Sequence, residues 1–338
     1  MDRDARDRRA GAGAAARRAA GRGPAAAGGG RGTALRPGPG EPAVDAPEIL
    51  VGPDSPSDRR DPPVDTVARP LDHGPALLFC PGDRPDRFAK ALAAADAVIL
   101  DLEDAVGPDD KDGARDAVVA ALAELDRTRV VVRVNAPGAP AHDGDVAALA
   151  AHPDLTLMLP MATSAAAVEA LAPHPVIALC ETAHGVLEAP SIARASNCAG
   201  LMWGSEDLLA DLGGRTGRAA GGGYGPALAE ARTRILYAAR AAGRAPVDTV
   251  LTDIADTDTL LADAVDAANA GFAAKVCIHP SQVEVVRRGF RPGDAETEHA
   301  RALLAEAERH PGVFRFGGEM VDAPVLARAR ATLRLAGA

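Results

Sequence analysis

Carboxylates and one arginine recur in this sequence where short apolar runs end. Asp101, Glu103 and Asp104 close AVILDLED, Arg133 lies in VVVRVN, Glu181 ends VIALCE, and Glu206 and Asp207 close GLMWGSED. A charge at the end of a buried strand is costly unless it is paired or bound to a metal. Glu181 and Asp207 come from neighbouring runs, so their carboxylates can meet at one cation. Two carboxylates with waters and substrate oxygens form a typical Mg2+ arrangement. The structural alternative is that each caps the helix behind it, and Asp207 before LLADLG suits a helix N-terminus. The two-residue strand period puts Asp101 and Glu103 on one face, where they and Asp104 would orient metal-bound water from behind the ligands. Arg133, flanked by valines, needs an acidic partner. A substrate carboxylate or enolate oxygen would fill its bidentate fork, as would an internal salt bridge to Glu103 or Glu181.

Other chemistry-bearing residues give weaker signals. In PGDRPDRFAK, Arg84, Arg87 and Lys90 would suit the phosphates of a ligand such as coenzyme A, although basic residues on a first helical turn are usually just solvated. Residues 213–225 hold seven glycines but no GK[ST], so they form no P-loop and serve equally as an active-site loop or a connector. His279 in KVCIHPSQ reads as a structural turn residue, and Ser205 in GSED does not fit a GxSxG elbow.

The elements that must position these groups alternate. Eight β-type runs recur at 76–80, 97–103, 130–135, 155–160, 176–181, 200–207, 249–254 and 275–280. Most are near-continuous apolar runs, as in parallel strands covered on both faces. Ala-rich helical stretches lie between them, such as 86–95, 112–125, 164–172 and 228–243. This pattern predicts an α/β fold, a (β/α)8 TIM barrel whose chemistry sits at the carboxyl ends of the strands. A doubly wound open sheet is the other solution, but the first strand lacks a GxGxxG turn. Residues 295–310 and 323–337 then read as two further helices, joined by a loop containing FRFGGEMVDAP. The domain plan is therefore a tail at 1–72, a catalytic barrel at 73–292, and a C-terminal helical extension at 293–338. The extension either packs on its own barrel or reaches a neighbouring subunit.

Composition narrows the classes. Of 338 residues 47% are apolar and 25% charged, which suffices for a sizeable core. No apolar stretch approaches the length of a spanning helix, so no membrane role is expected. Cys80, Cys180, Cys198 and Cys277 show no CxxC spacing, which argues against a zinc ribbon or a disulfide scaffold and for a reduced cytoplasmic setting. A net charge of −10 and an aromatic content of 3% disfavour nucleic acid as a partner. Residues 1–40 hold nine Arg against three Asp, so residues 41–338 carry −16. The Ala/Gly/Arg/Pro-rich start and the Pro- and Asp-rich stretch after it have little to bury, which predicts disorder over 1–72. An over-extended start of the reading frame would look the same.

Taken in order, LLFCPGDRPDRFAKAL, AVILDLEDAV, VVVRVNAPG, VIALCETAHGV, LMWGSEDLLADLGG, KVCIHPSQVEVVRRGFRP and GGEMVDAPVL closely resemble the citrate lyase β-subunit-like proteins. These belong to the HpcH/HpaI aldolase superfamily, which includes malyl-CoA and citramalyl-CoA lyases. The resemblance covers residues 74–337 and implies a (β/α)8 barrel, a homotrimer or hexamer, and Mg2+ at the strand ends. It implies Glu181 and Asp207 as metal ligands and Arg133 at the oxo-acid part of the substrate. Phe79, Lys90 and Arg84 would lie near the acyl-CoA. Asp322, in MVD, would be the acid/base brought by a neighbouring subunit; without the resemblance it reads as an N-cap for the helix that starts at Pro324. The activity implied is reversible cleavage of a β-hydroxyacyl-CoA to acetyl-CoA and a 2-oxo acid. A malyl-CoA thioesterase, a malate synthase-type enzyme and a non-autonomous citrate lyase β subunit are the alternatives. Three positions depart from the pattern: LPMATS has Met161 where relatives often carry Lys and Thr163 where they carry Glu, and His184 replaces an Arg.

Overall fold

Runs of Val, Ile, Leu and Ala without polar interruption can be buried on both faces only when a parallel sheet has helices outside and an apolar filling inside. The computed structural model, which describes residues 69–310 and 312–337, shows that arrangement. β1 (Ala76–Pro81) leads into α1 (Pro85–Ala94), β2 (Ala97–Asp101) into α2 (Lys111–Ala121), β3 (Val130–Arg133) into α3 (His142–Leu149), and β4 (Thr156–Leu159) into the short α4 (Ala165–Glu169). β5 (Val176–Cys180) is followed by α5 (Ala183–Ile192), and β6 (Cys198–Trp203) by α6 (Ser205–Asp211) and α7 (Pro226–Ala241). β7 (Ala245–Asp248) precedes α8 (Thr257–Ala270), and β8 (Ala274–Cys277) precedes α9 (Pro280–Phe290). The eight strands pair in sequence order, and β8 closes on β1 through Ala76 opposite Lys275. The (β/α)8 barrel expected from the sequence is what forms.

Alternation along each strand divides the core in two. Leu77, Ile99, Val131, Met158, Ile177, Met202, Val247 and Val276 fill the barrel. Leu78, Val98, Leu100, Val132, Leu157, Ala178 and Leu201 pack outward against the helices. Each fully buried aliphatic side chain contributes about 1.5–3 kcal/mol, so both layers hold the strand ends in place.

Three expectations are corrected. The seventh strand is Ala245–Asp248, not 249–254. Pro246 lacks an N–H and so argues against a strand on sequence grounds. Here its carbonyl still accepts from Ala273 N at 2.8 Å, which keeps the β7–β8 edge bonded. The second correction is the loop carrying FRFGGEMVDAP, which is a hairpin of β9 (Phe314–Phe316) and β10 (Glu319–Val321). Gly317 (φ 59°) and Gly318 (φ 91°) supply the two positive φ angles that its two-residue turn requires. The hairpin sits between α10 (Asp294–Ala307) and α11 (Ala323–Leu335), and these pieces share a small core of Ala300, Leu303, Val321 and Ala329. Third, Arg69–Asp72 form a 3-10 turn, with Leu71 against the inner barrel cluster, inside the stretch expected to be a disordered tail. The remainder of that tail lies outside the described residues. Among the described residues no helix is long and apolar enough to cross a membrane.

A buried charge network ties β6, β7 and β8 to the helices. Lys275 is wholly buried, and its Nζ donates to Asp248 Oδ2 (3.1 Å) and to the Thr249 carbonyl (2.7 Å). Asp248 Oδ1 also accepts from Trp203 Nε1 (2.8 Å) and Arg232 Nε (2.9 Å). The Gly-rich segment is pinned beside it: Tyr224 meets Trp203 edge-on, and Arg218 donates two hydrogen bonds to Asp263 of α8. That segment is an anchored connector.

Candidate active site

β2 stops at Asp101 because the Asp101 carboxylate turns the chain. Its Oδ1 accepts from Glu103 N (2.9 Å) and its Oδ2 from Ala105 N (3.1 Å), the local bonding by which Asp competes with a ladder. The two-residue period therefore ends two residues earlier than the sequence suggests. Asp101 also takes the fork of Arg133, with Nε to Oδ1 and Nη2 to Oδ2 both at 2.7 Å. Asp101 thus braces the arginine and its own turn.

Arg133, only 8% exposed at the end of β3, is held from three sides. Its Cζ lies 4.7 Å from the centre of the Phe79 ring, which projects from β1. Its Nη1 is 2.8 Å from Glu103 Oε2 and 3.7 Å from the exposed Asp104. Burial would weaken the guanidinium as a base, but the hydrogen bonds to Asp101 and the surrounding acidic charges hold its pKa above the ordinary value. Of the two sequence alternatives for this arginine, the internal pairing is the one present, and it orients the cation at the strand ends.

Glu103 Oε2 is buried and, despite that close approach, is not aligned for a hydrogen bond to any donor. Burial, opposed by Arg133 and aided by Asp104, Asp101 and Asp207, pushes its pKa up to about 7. Glu181, 3% exposed after β5, accepts from Met161 N through Oε1 at 2.8 Å. Burial, offset by that N–H and reinforced by the Asp207 and Glu103 charges, pushes its pKa up to about 8. Gly204 lets the end of β6 pass close behind it, since a Cβ there would stand 2.8 Å from Glu181 Oε2. Asp207 is exposed on the first turn of α6. Its charge helps to raise the pKa of both glutamates, and that of Arg133 opposes the rise in both.

Crowded carboxylates, one oxygen of them buried without a donor, are what a divalent cation relieves. Among the described residues no three His, Cys, Asp or Glu side chains converge as a closed metal cage. Two carboxylates such as the expected Glu181 and Asp207 would leave positions open, which fits Mg2+, a cation that keeps waters and substrate oxygens.

The remaining expected residues lie elsewhere. Arg84 is paired at the surface with Asp86, Nε to Oδ1 and Nη2 to Oδ2 both at 3.0 Å, and Lys90 is exposed on α1. Asp322 caps α11, accepting from Val325 N at 3.2 Å, so within one chain it acts as a helix cap. His279 caps α9 in a capping box with Gln282. His184 is exposed on α5.

Two supporting residues were missed. Lys111 Nζ donates to the carbonyls of Leu102 (2.8 Å) and Glu103 (2.6 Å), which fixes the turn after β2. Asn135 Nδ2 bonds the Leu102 carbonyl and Asp145. Neither has a spacing signal, because Lys111 reaches back to backbone carbonyls of its own loop and Asn135 reaches the loop after β2.

A family model described as HpcH/HpaI aldolase/citrate lyase matches residues 76–280. A Mycobacterium tuberculosis protein named citrate lyase subunit beta-like protein is 50% identical over 264 residues, 78% of this chain and 96% of that protein. A (3S)-malyl-CoA thioesterase of Cereibacter sphaeroides is 36% identical over 277 residues, covering 78% of this chain and 94% of the thioesterase. The crystal structure of M. tuberculosis CitE in complex with magnesium, acetoacetate and coenzyme A superposes with a TM-score of 0.75 at 50% identity, over 79% of this chain and all of that one.

Proposed function

The chain belongs to the HpcH/HpaI aldolase/citrate lyase family, and on that footing we propose that it is a Mg2+-dependent carbon–carbon lyase. It would reversibly cleave a β-hydroxyacyl-CoA such as malyl-CoA or citramalyl-CoA to acetyl-CoA and a 2-oxo acid. The observation that carries this reading is the buried Glu181 carboxylate, held by the Met161 N–H after β5, at the same strand ends as the fixed Arg133. Binding of magnesium, acetoacetate and coenzyme A by the M. tuberculosis relative supports it.

Glu181 and Asp207 would hold the cation, which supplies Lewis acidity to the hydroxyl and carboxylate oxygens of the substrate. Arg133, already oriented, would balance negative charge growing on the oxo-acid oxygens at no reorganisation cost. As the hydroxyl gave its proton to solvent water and became a carbonyl, the neighbouring carbon–carbon bond would break and its electrons pass to the thioester enolate. Asp322 from a neighbouring subunit would protonate that enolate carbon, which requires hydrogen-bond reach of it. Phe79 supports the guanidinium from below; Arg84 and Lys90 would face the nucleotide end of the acyl-CoA. This reading makes residues 73–292 the catalytic barrel of a homo-oligomer, trimer or hexamer, and 293–338 the arm exchanged between subunits. Four buried free thiols suit a reducing cytoplasmic setting.

The test is incubation of purified protein with malyl-CoA and citramalyl-CoA of both configurations, with Mg2+ or EDTA, followed by mass spectrometry of acids and CoA species. Metal-dependent acetyl-CoA with glyoxylate or pyruvate is expected, and Glu181→Gln should lower kcat/KM by roughly a thousand-fold or more. Full turnover by that variant overturns the metal assignment. Free CoA with malate would place the chain with its thioesterase relative instead.

A further inference from the structure

Met161 is the only non-glycine residue with positive φ (49°) among the described residues. An unbranched side chain in that region is held against its preference, and such residues concentrate where a site imposes the geometry. Here the imposed geometry aims the Met161 N–H at Glu181 Oε1, 2.8 Å away. The next residue is clamped as well. Ala162 N donates to the Leu179 carbonyl at 3.0 Å, and the Ala162 carbonyl lies where a Cβ on Gly185 would meet it at 2.5 Å. Met161 is therefore fixed at the rim with its side chain 38% exposed.

Its place in the barrel decides what that side chain faces. β4 lies between β3, which ends in Arg133, and β5, which precedes Glu181. The thioether thus belongs to the wall at the oxo-acid end of the site, whereas Phe79, Arg84 and Lys90 come from β1 and α1. The ends of β4 and β5 bring no permanent cation of their own: the sequence has no Lys or Arg between Arg133 and Arg194. Arg133 itself is engaged by Asp101 through Nε and Nη2 and lies against Glu103 through Nη1. A 2-oxo acid with one carboxylate needs nothing more than the cation and this arginine. A second carboxylate would meet Glu103, Glu181 and a thioether, with no unpaired positive group to offset its desolvation.

We propose that Met161 is the specificity-determining residue at the oxo-acid end and restricts the site to 2-oxo acids with a single carboxylate. The proposal rests on the lyase reading for which end of the substrate lies here, but its test reads binding. Equilibrium titration of the full chain in Mg2+ at pH 8 would compare pyruvate with freshly prepared oxaloacetate. Pyruvate should bind roughly ten-fold or more tightly, the scale of an uncompensated charged group. Met161→Lys should shift that ratio toward oxaloacetate by about five-fold or more, and Met161→Leu should leave it unchanged. Thr163→Lys, which leaves the Met161 peptide untouched, should move it in the same direction if the first variant does not fold. Equal binding of the two acids by the unaltered chain, a ratio unmoved by either lysine, or binding of neither acid overturns the proposal. Absence of acyl-CoA cleavage beside the expected ratios would overturn the lyase reading alone.

Discussion

At Arg133 two demands compete. A cation meant for a substrate must be available, yet a buried guanidinium must be paired. The chain meets both by giving the fork to Asp101 and leaving Nη1 beside an incompletely bonded Glu103. Asp101→Asn should therefore act twice. It leaves a buried arginine short of a counter-charge, costing about 3 kcal/mol in the urea midpoint. It also lets the fork swing, lowering kcat/KM about ten-fold or more. Arg133→Lys, which cannot make the bidentate contact, should lose more activity at a similar stability. An unchanged kcat/KM in Asp101→Asn would show that the fork needs no external brace. Sequence alone identified Arg133 and its acidic neighbours because charges in valine runs stand out. It misplaced Asp101, since the turn that ends β2 depends on which N–H groups the carboxylate takes.

Among the elements, β7 shows most clearly what a linear pattern omits. Its four residues APVD hold a proline and an aspartate, so the apolar run beside them looked like the better strand. What makes APVD a strand is its neighbours: the helices cover it, and Lys275 on β8 neutralises Asp248. That pair is separated by 27 residues and has no local signature. Burial alone would raise the Asp248 pKa, but Lys275, Arg232 and Trp203 more than offset this and hold it below the usual carboxylate range. A lowered pKa in the folded state means stability that is present above the unfolded value, near about 3.9, and lost as pH falls through the folded one. Lys275→Met removes the largest of those offsets and should cost about 3–5 kcal/mol at neutral pH. It should also move the acid-unfolding midpoint, followed by circular dichroism, to higher pH. A midpoint that stays in place would mean that Arg232 alone holds Asp248 ionised.

Across the whole molecule the barrel was legible because eight apolar runs alternating with helical stretches admit few closed arrangements, while the use of the extension was not. α10, the hairpin and α11 build their own small core, and Asp322 is occupied as a cap. Nothing along the chain tells whether that cap also faces a mouth on another copy. Assembly makes the question decidable. In a closed ring each site would draw Glu181 from one subunit and Asp322 from its neighbour. Glu181→Gln and Asp322→Asn should each be nearly inactive alone. Co-expressed as differently tagged chains and isolated as mixed oligomers, they should regain about a third of the activity, since every mixed ring of three rebuilds one site in three. If Asp322 acted within its own chain, every site would lack one group and no activity would return. Recovery near a third would thus show that the arm crosses between subunits, and an inactive mixture would confine Asp322 to its own barrel.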